Sequence, residues 1–116
     1  MTTRREAIEF CMTFPAAYED YPFDDPNWTV MRRRDTGRGF CWIFEREGRM
    51  WMNLKVDPEW GRFWREVYPS VIPAYHMNKT HWNSVILDGS VPDAELMQMI
   101  STSYSLCGKK AKSEGR

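Results

Sequence analysis

Residues capable of chemistry crowd into one stretch, Val71 to Gly89: both histidines (His76, His81), Lys79, Asn78, Asn83, Tyr75 and Trp82, running into an apolar strand. Three kinds of chemistry fit these residue types. Lysine can hold a phosphate, asparagine can read a base edge, and an exposed tryptophan can stack on an unpaired base. Two histidines five apart can chelate a cation, but a stable site needs a third or fourth ligand, for which Asp57 and Asp88 are the candidates. The competing reading is a hydrogen-bonded loop in which the histidines tie strand ends together. With too few ligands at this spacing, that loop is preferred and no metal site is expected. General acid–base work by His76 or His81 would need a partner nucleophile and an oxyanion site, and the sequence supplies neither. No enzyme activity, catalytic residue or cofactor is expected.

A second group is arginine-rich. Arg32-Arg33-Arg34 with Arg38, then Arg46 and Arg49, lie on or beside two successive hairpin turns. Such turns act as wings whose guanidinium groups reach phosphates or a minor groove. Trp51, Asn53 and Lys55 alternate along the next strand and share a face that His76, Asn78, Lys79, His81 and Trp82 can border. The bland alternative is that Arg32 to Arg34 keep an edge strand soluble. Sixteen basic and sixteen acidic residues give a net charge of zero, which argues against strong non-specific nucleic-acid binding. The balance is uneven, however: residues 1–28 sum to −4 and residues 29–56 to +4. A neutral molecule can carry a basic face.

Among the acidic residues Glu6, Glu9, Glu19, Asp20, Asp24 and Asp25, only Glu6 and Glu9 share a helix face. A solvated surface is the default for them. Methionines and exposed aromatics suit an adaptable contact patch, and a sheet edge can accept a partner strand, so a protein partner is the other class to weigh. Phosphate binding weakens steeply with salt and such contacts do not, which separates the two.

The elements that position these groups follow from periodicity and punctuation. A chain of 116 residues, 42% apolar and 28% charged, is expected to form one domain over residues 1–108, with a basic polar tail at 109–116. Aromatics reach 15%, more than a core of this size obviously needs, so some are expected at a contact surface. A helix over residues 3–13, capped by Thr2 or Thr3, is stopped by Pro15. The proline-rich span from Phe14 to Trp28 is expected to be an ordered aromatic loop. Three strands follow: Thr29 to Arg34, Phe40 to Arg46 and Arg49 to Val56, joined at Gly37–Gly39 and Gly48. Asp57-Pro58-Glu59 starts a helix burying Trp60, Phe63, Trp64 and Val67. Val71 to Tyr75 and His81 to Leu87 are the last strands, and a helix from Asp93 packs Leu96, Met97, Met99, Ile100, Tyr104 and Leu106. The fold class is α+β: an antiparallel sheet of about five strands with N-terminal, middle and C-terminal helices covering one face.

With the elements placed, the chain resembles the MmcQ/YjbR family, small bacterial proteins of a CyaY-like (frataxin-like) fold. The matching pieces are Phe14-Pro15 with Tyr18-Glu19-Asp20-Tyr21-Pro22-Phe23, Trp28-Thr29-Val30, Asn53-Leu54-Lys55 with Asp57-Pro58-Glu59, Val71 through Asp88, and Ser103-Tyr104. Ala16 and Ala74 stand where the family often has glycine. The resemblance implies DNA binding through a double wing of strand-connecting loops. On that reading Arg32, Arg34, Arg38, Arg46, Arg49, Lys55 and Lys79 contact phosphates. Asn53, His76, Asn78, His81 and Trp82 supply polar or stacking contacts. The alternative is a non-enzymatic module binding a protein or small ligand with the same face. Cys11, Cys41 and Cys107 lack metal-type spacing and read as reduced thiols of a cytoplasmic protein. Met1 to Glu9 is unlike a signal peptide, and no apolar run approaches the ~20 residues of a membrane span, so no membrane association is expected.

Overall fold

Capping chemistry decides where the first helix begins. The Thr3 hydroxyl accepts from the Glu6 amide while the Glu6 carboxylate accepts from the Thr2 and Thr3 amides, a reciprocal box opening α1 (Arg4–Cys11). These amide donors hold the Glu6 carboxyl below its ordinary range. The computed structural model describes residues 1–109, so most of the expected basic tail lies outside the described residues.

After α1 the order is β1 (Ala17–Asp20), β2 (Thr29–Arg33), β3 (Gly39–Arg46), β4 (Arg49–Lys55), α2 (Pro58–Val67), β5 (Val71–Pro73), β6 (Trp82–Ile86) and α3 (Asp93–Leu106). The strands form one antiparallel sheet ordered β1-β2-β3-β4-β6-β5. Side chains alternate across a strand, so each face can be read from register. Met31, Cys41, Ile43, Met52, Leu54 and Val85 join Ala7, Cys11, Leu96 and Ile100 in the core beneath α1 and α3. Each buried Met, Ile, Leu or Val among them contributes about 1.5–3 kcal/mol. The Ser103 hydroxyl donates to the Phe40 carbonyl at 2.6 Å and accepts from the Lys55 amide at 2.8 Å, tying α3 to β3 and β4.

The sheet has six strands where about five were expected. Ala17–Asp20, expected as loop, pairs with β2 through the register Tyr18↔Arg32 and Asp20↔Val30. Prolines bound this segment without entering it, which leaves four residues free to pair. β2 is consequently an inner strand, and its arginines do not protect an edge.

The expectation that α2 buries Trp60, Phe63 and Val67 is also corrected. Trp64 is buried, but those three are exposed, as is Met97 of α3. α2 buries Gly61 and Trp64 and meets the sheet near β5, so one turn carries most of its packing. Among the described residues, no helix is long and apolar enough to cross a membrane.

A candidate ligand pocket on the sheet face opposite the helices

Trp42, Phe44, Trp51, Asn53 and Ser84 alternate with core residues and therefore face away from α1 and α3. That face was expected to be open. Yet Phe44 is 1% exposed, Trp51 3% and Asn53 0%. Two loops roof it. Trp28, from the loop between β1 and β2, stacks on Phe44 with centroids 4.4 Å apart. Tyr75, from the loop between β5 and β6, stacks on the same ring at 5.7 Å and meets Trp51 at 6.2 Å.

Each loop is pinned by hydrogen bonds. The Asn27 side chain accepts from the Glu45 amide at 2.7 Å and donates to the Glu45 carbonyl at 2.9 Å. Arg4 reaches from α1 to donate to the Asn27 carbonyl, the Thr29 hydroxyl and the Ile43 carbonyl. Under the second loop, Asn53 donates to the Tyr75 carbonyl, the Ser84 hydroxyl donates to Asn53, and the Tyr75 amide donates to Ser84. A buried polar network satisfied this fully is rigid. Asn53 is therefore an anchor for the loop and is closed to a base edge.

The polar cluster of the β5–β6 loop is largely turned to its own backbone. Lys79 Nζ donates to the Ala74 carbonyl at 2.7 Å. Asn78 Oδ1 accepts from the Thr80 and His81 amides, and the His81 carbonyl accepts from Val56. The loop does tie strand ends together, through amides and carbonyls and not through imidazoles. His76 adopts a φ of 63° and sets its ring 4.0 Å from that of Tyr75. His81 is exposed; Trp82 is half-buried opposite Lys55. Among the described residues, no three His, Cys, Asp or Glu side chains gather to hold a metal ion.

The arginines do not form one patch. The two hairpin turns lie at opposite ends of β3, roughly 23 Å apart at a strand rise of about 3.3 Å per residue. Most guanidinium groups also have partners within the chain. Arg32 pairs with Asp20 at 2.6 Å and lies over Trp42; Arg34 lies over Tyr18. Arg38 donates to the Gly108 carbonyl, and Arg46 pairs with Glu47 while covering Trp51 and Tyr75. Arg49 is exposed at the far turn. Lys55 stands apart from these, lining a cavity of about 220 Å³ between α2 and α3 with Asp57, Trp60, Trp64 and Met99.

What the two loops leave between them is a pocket of about 300 Å³ lined by Phe23, Asp25, Trp28, Trp42, Asn53, His76 and Met77. Of these, only Asn53 and His76 were expected as site residues. Phe23, Trp28, Trp42 and Met77 come from three separate segments. The excess of aromatics over core needs was a sequence signal for the three rings, and nothing in the sequence joined Met77 to them. The arrangement is a half-open cleft that can seat a small apolar or flat group against its rings.

These features define a class: a small α+β protein whose antiparallel sheet carries helices on one face and a looped-over aromatic pocket on the other. The chain belongs to the YjbR family, whose model matches residues 12–106. It is 32% identical over 102 residues to the Escherichia coli (strain K12) protein YjbR, covering 88% of this chain and 84% of that protein. It is 39% identical over 105 residues to YbdF of Escherichia coli O157:H7, covering 90% and 80% respectively. Among solved structures, it matches a DUF419 domain protein of Deinococcus radiodurans with a TM-score of 0.86 at 35% identity, covering 98% of this chain and 86% of the other. A Pseudomonas syringae protein matches with a TM-score of 0.81 at 26% identity, covering 91% and 99%.

Proposed function

We propose that this chain is a binding module, not an enzyme, and that its ligand seats in the aromatic pocket between the β1–β2 and β5–β6 loops. The observation that carries this reading is the pocket itself, where Phe23 and Trp28 of one loop, Met77 of the other and Trp42 of β3 present apolar surface to a space of about 300 Å³. Preformed apolar pockets with few polar groups are where small ligands bind. Within the lining, His76 and Asp25 are the only titratable side chains, and no hydroxyl or thiol nucleophile accompanies them.

Duplex binding through hairpin wings draws less support from the same geometry. A duplex contact needs guanidinium groups aligned along one phosphate track. Here Arg32, Arg34, Arg38 and Arg46 are engaged within the fold, and the turns are separated by the length of β3.

Amide-shift titrations test the two readings together. One set uses small aromatic and alkylammonium compounds; the other uses a short mixed-sequence duplex at low and moderate salt. Shifts confined to Phe23, Trp28, Trp42 and Met77 with the small compounds are expected. Shifts at Arg34, Arg38, Arg49 and Lys79 with duplex, lost steeply as salt rises, would replace this reading with the DNA one.

A further inference from the structure

We infer that the pocket reads positive charge, and that its ligand is a small molecule bearing an alkylated ammonium group. This inference rests on the pocket being the binding site and adds the chemistry it selects.

Three rings line the pocket. Phe23 stands edge-on to Trp28 at 6.3 Å and 80°, and tilts toward Trp42 at 6.4 Å and 32°. Aromatic faces are the negative pole of a quadrupole and attract a cation placed within about 6 Å of the centroid. Asp25, on the same loop as Phe23 and Trp28, supplies the only carboxylate of the lining, and no lysine or arginine lines the pocket.

One of these three rings, Trp42, and the nearby Tyr75 already meet cations of the protein itself in this way. Arg32 lies 5.8 Å over Trp42 with its charge balanced by Asp20, and Arg46 lies 4.4 Å over Tyr75 with its charge balanced by Glu47. Phe23 and Trp28 have no such internal cation among the described residues.

Alkylation follows from the donor count. A primary ammonium must place three N–H donors on acceptors. Beyond Asp25, whose Oδ1 already accepts from the Asn27 amide at 2.9 Å, the lining's polar side chains are His76 and Asn53, and Asn53 is committed to Ser84 and the Tyr75 carbonyl. Methyl groups need no acceptors and present a diffuse charge to the rings. A cavity of about 300 Å³ takes such a head group with a short chain.

The test compares choline with dimethylbutanol, its uncharged carbon isostere, and with indole as a flat neutral ring. Binding is read by tryptophan fluorescence and by the amide shifts of Phe23, Trp28 and Trp42. Choline is expected to bind roughly tenfold more tightly than its isostere, the range for a partly desolvated cation–π site. Asp25→Asn should narrow that ratio several-fold; asparagine keeps the Oδ1 that accepts from the Asn27 amide, so the loop is retained. Equal binding of choline and isostere, or binding of indole alone, overturns the charge preference and leaves the pocket as the binding site. No shift with any of the three overturns both. An N-acetyl trimethyllysine amide binding more than about tenfold tighter than choline would move the head group onto a protein partner and overturn the small-molecule assignment.

Discussion

The indole Nε1 of Trp42 donates to the carbonyl of Gly39 at 3.2 Å, so the ring folds back along its own strand. Only glycine permits this. A Cβ at position 39 would lie 2.9 Å from that Nε1 and 2.7 Å from Val30 Cγ1. Gly39 thereby sets one wall of the pocket from three residues away.

Gly39→Ala is expected to destabilise the fold by about 1–3 kcal/mol through overpacking and to displace Trp42. Urea unfolding should show a lower midpoint with an unchanged slope, together with altered tryptophan emission. Unchanged emission would mean that Val30 alone absorbs the strain.

Arg46 is expected to act as a lid weight on the β5–β6 loop, not as a phosphate ligand. Its guanidinium lies 5.1 Å over Trp51 and 4.4 Å over Tyr75. Arg46→Ala should cost about 1 kcal/mol and speed amide exchange at Tyr75 and His76. Arg46→Lys should restore only part of this, because an ammonium lacks the planar stack. Full rescue by lysine would assign the effect to charge alone.

The turn between β3 and β4 holds Glu47 at a φ of 55° and Gly48 at 76°. Both central residues are left-handed, the geometry of a type I′ hairpin, where asparagine is favoured at the first position. Glu47→Asn is expected to raise stability by about 0.5 kcal/mol, since the Arg46–Glu47 pair it removes is exposed and worth little. A lower urea midpoint would show that the ion pair outweighs the backbone relief.

Asp88 links the end of β6 to the start of β5. Hydroxyl donation from Ser70, then from Ser90, holds its carboxyl at about 2 against an ordinary 3.8. A lowered folded value means that the ionised form stabilises the fold. That contribution is present above about pH 4 and is lost as pH falls from about 4 toward 2. Asp88→Asn should therefore lower Tm at neutral pH by a modest amount, and the gap from the parent should close across that window. A gap that persisted at pH 2 would place the effect in packing and not in the charge.

Much of the fold was legible because its signals are local. The Thr3–Glu6 box, Pro58 at the start of α2, the turns at Gly37 and Gly48, and the alternation of Met50, Met52 and Leu54 each declare themselves within a few residues. β1 was missed because Tyr18 to Asp20 sits among prolines and has no periodicity of its own; only β2 makes it a strand. Trp60, Phe63 and Val67 follow a helical stripe, but α2 offers just one turn to the sheet, and a stripe cannot report how much of itself is covered.

The candidate site divides in the same way. Residue types alone marked the β5–β6 loop as unusual, and the surplus of aromatics marked a surface to find. The chain's own spacing and punctuation thus determined its α+β class and every element but β1, and its motifs carried the resemblance to its family. Tertiary structure alone decided that Arg32 meets Asp20, that Asn53 anchors a backbone, and that Phe23, Trp28, Trp42 and Met77 share one cavity. Periodicity records how each residue faces its neighbours in sequence; a pocket is built from segments that meet only when the sheet has closed and the loops have folded over it.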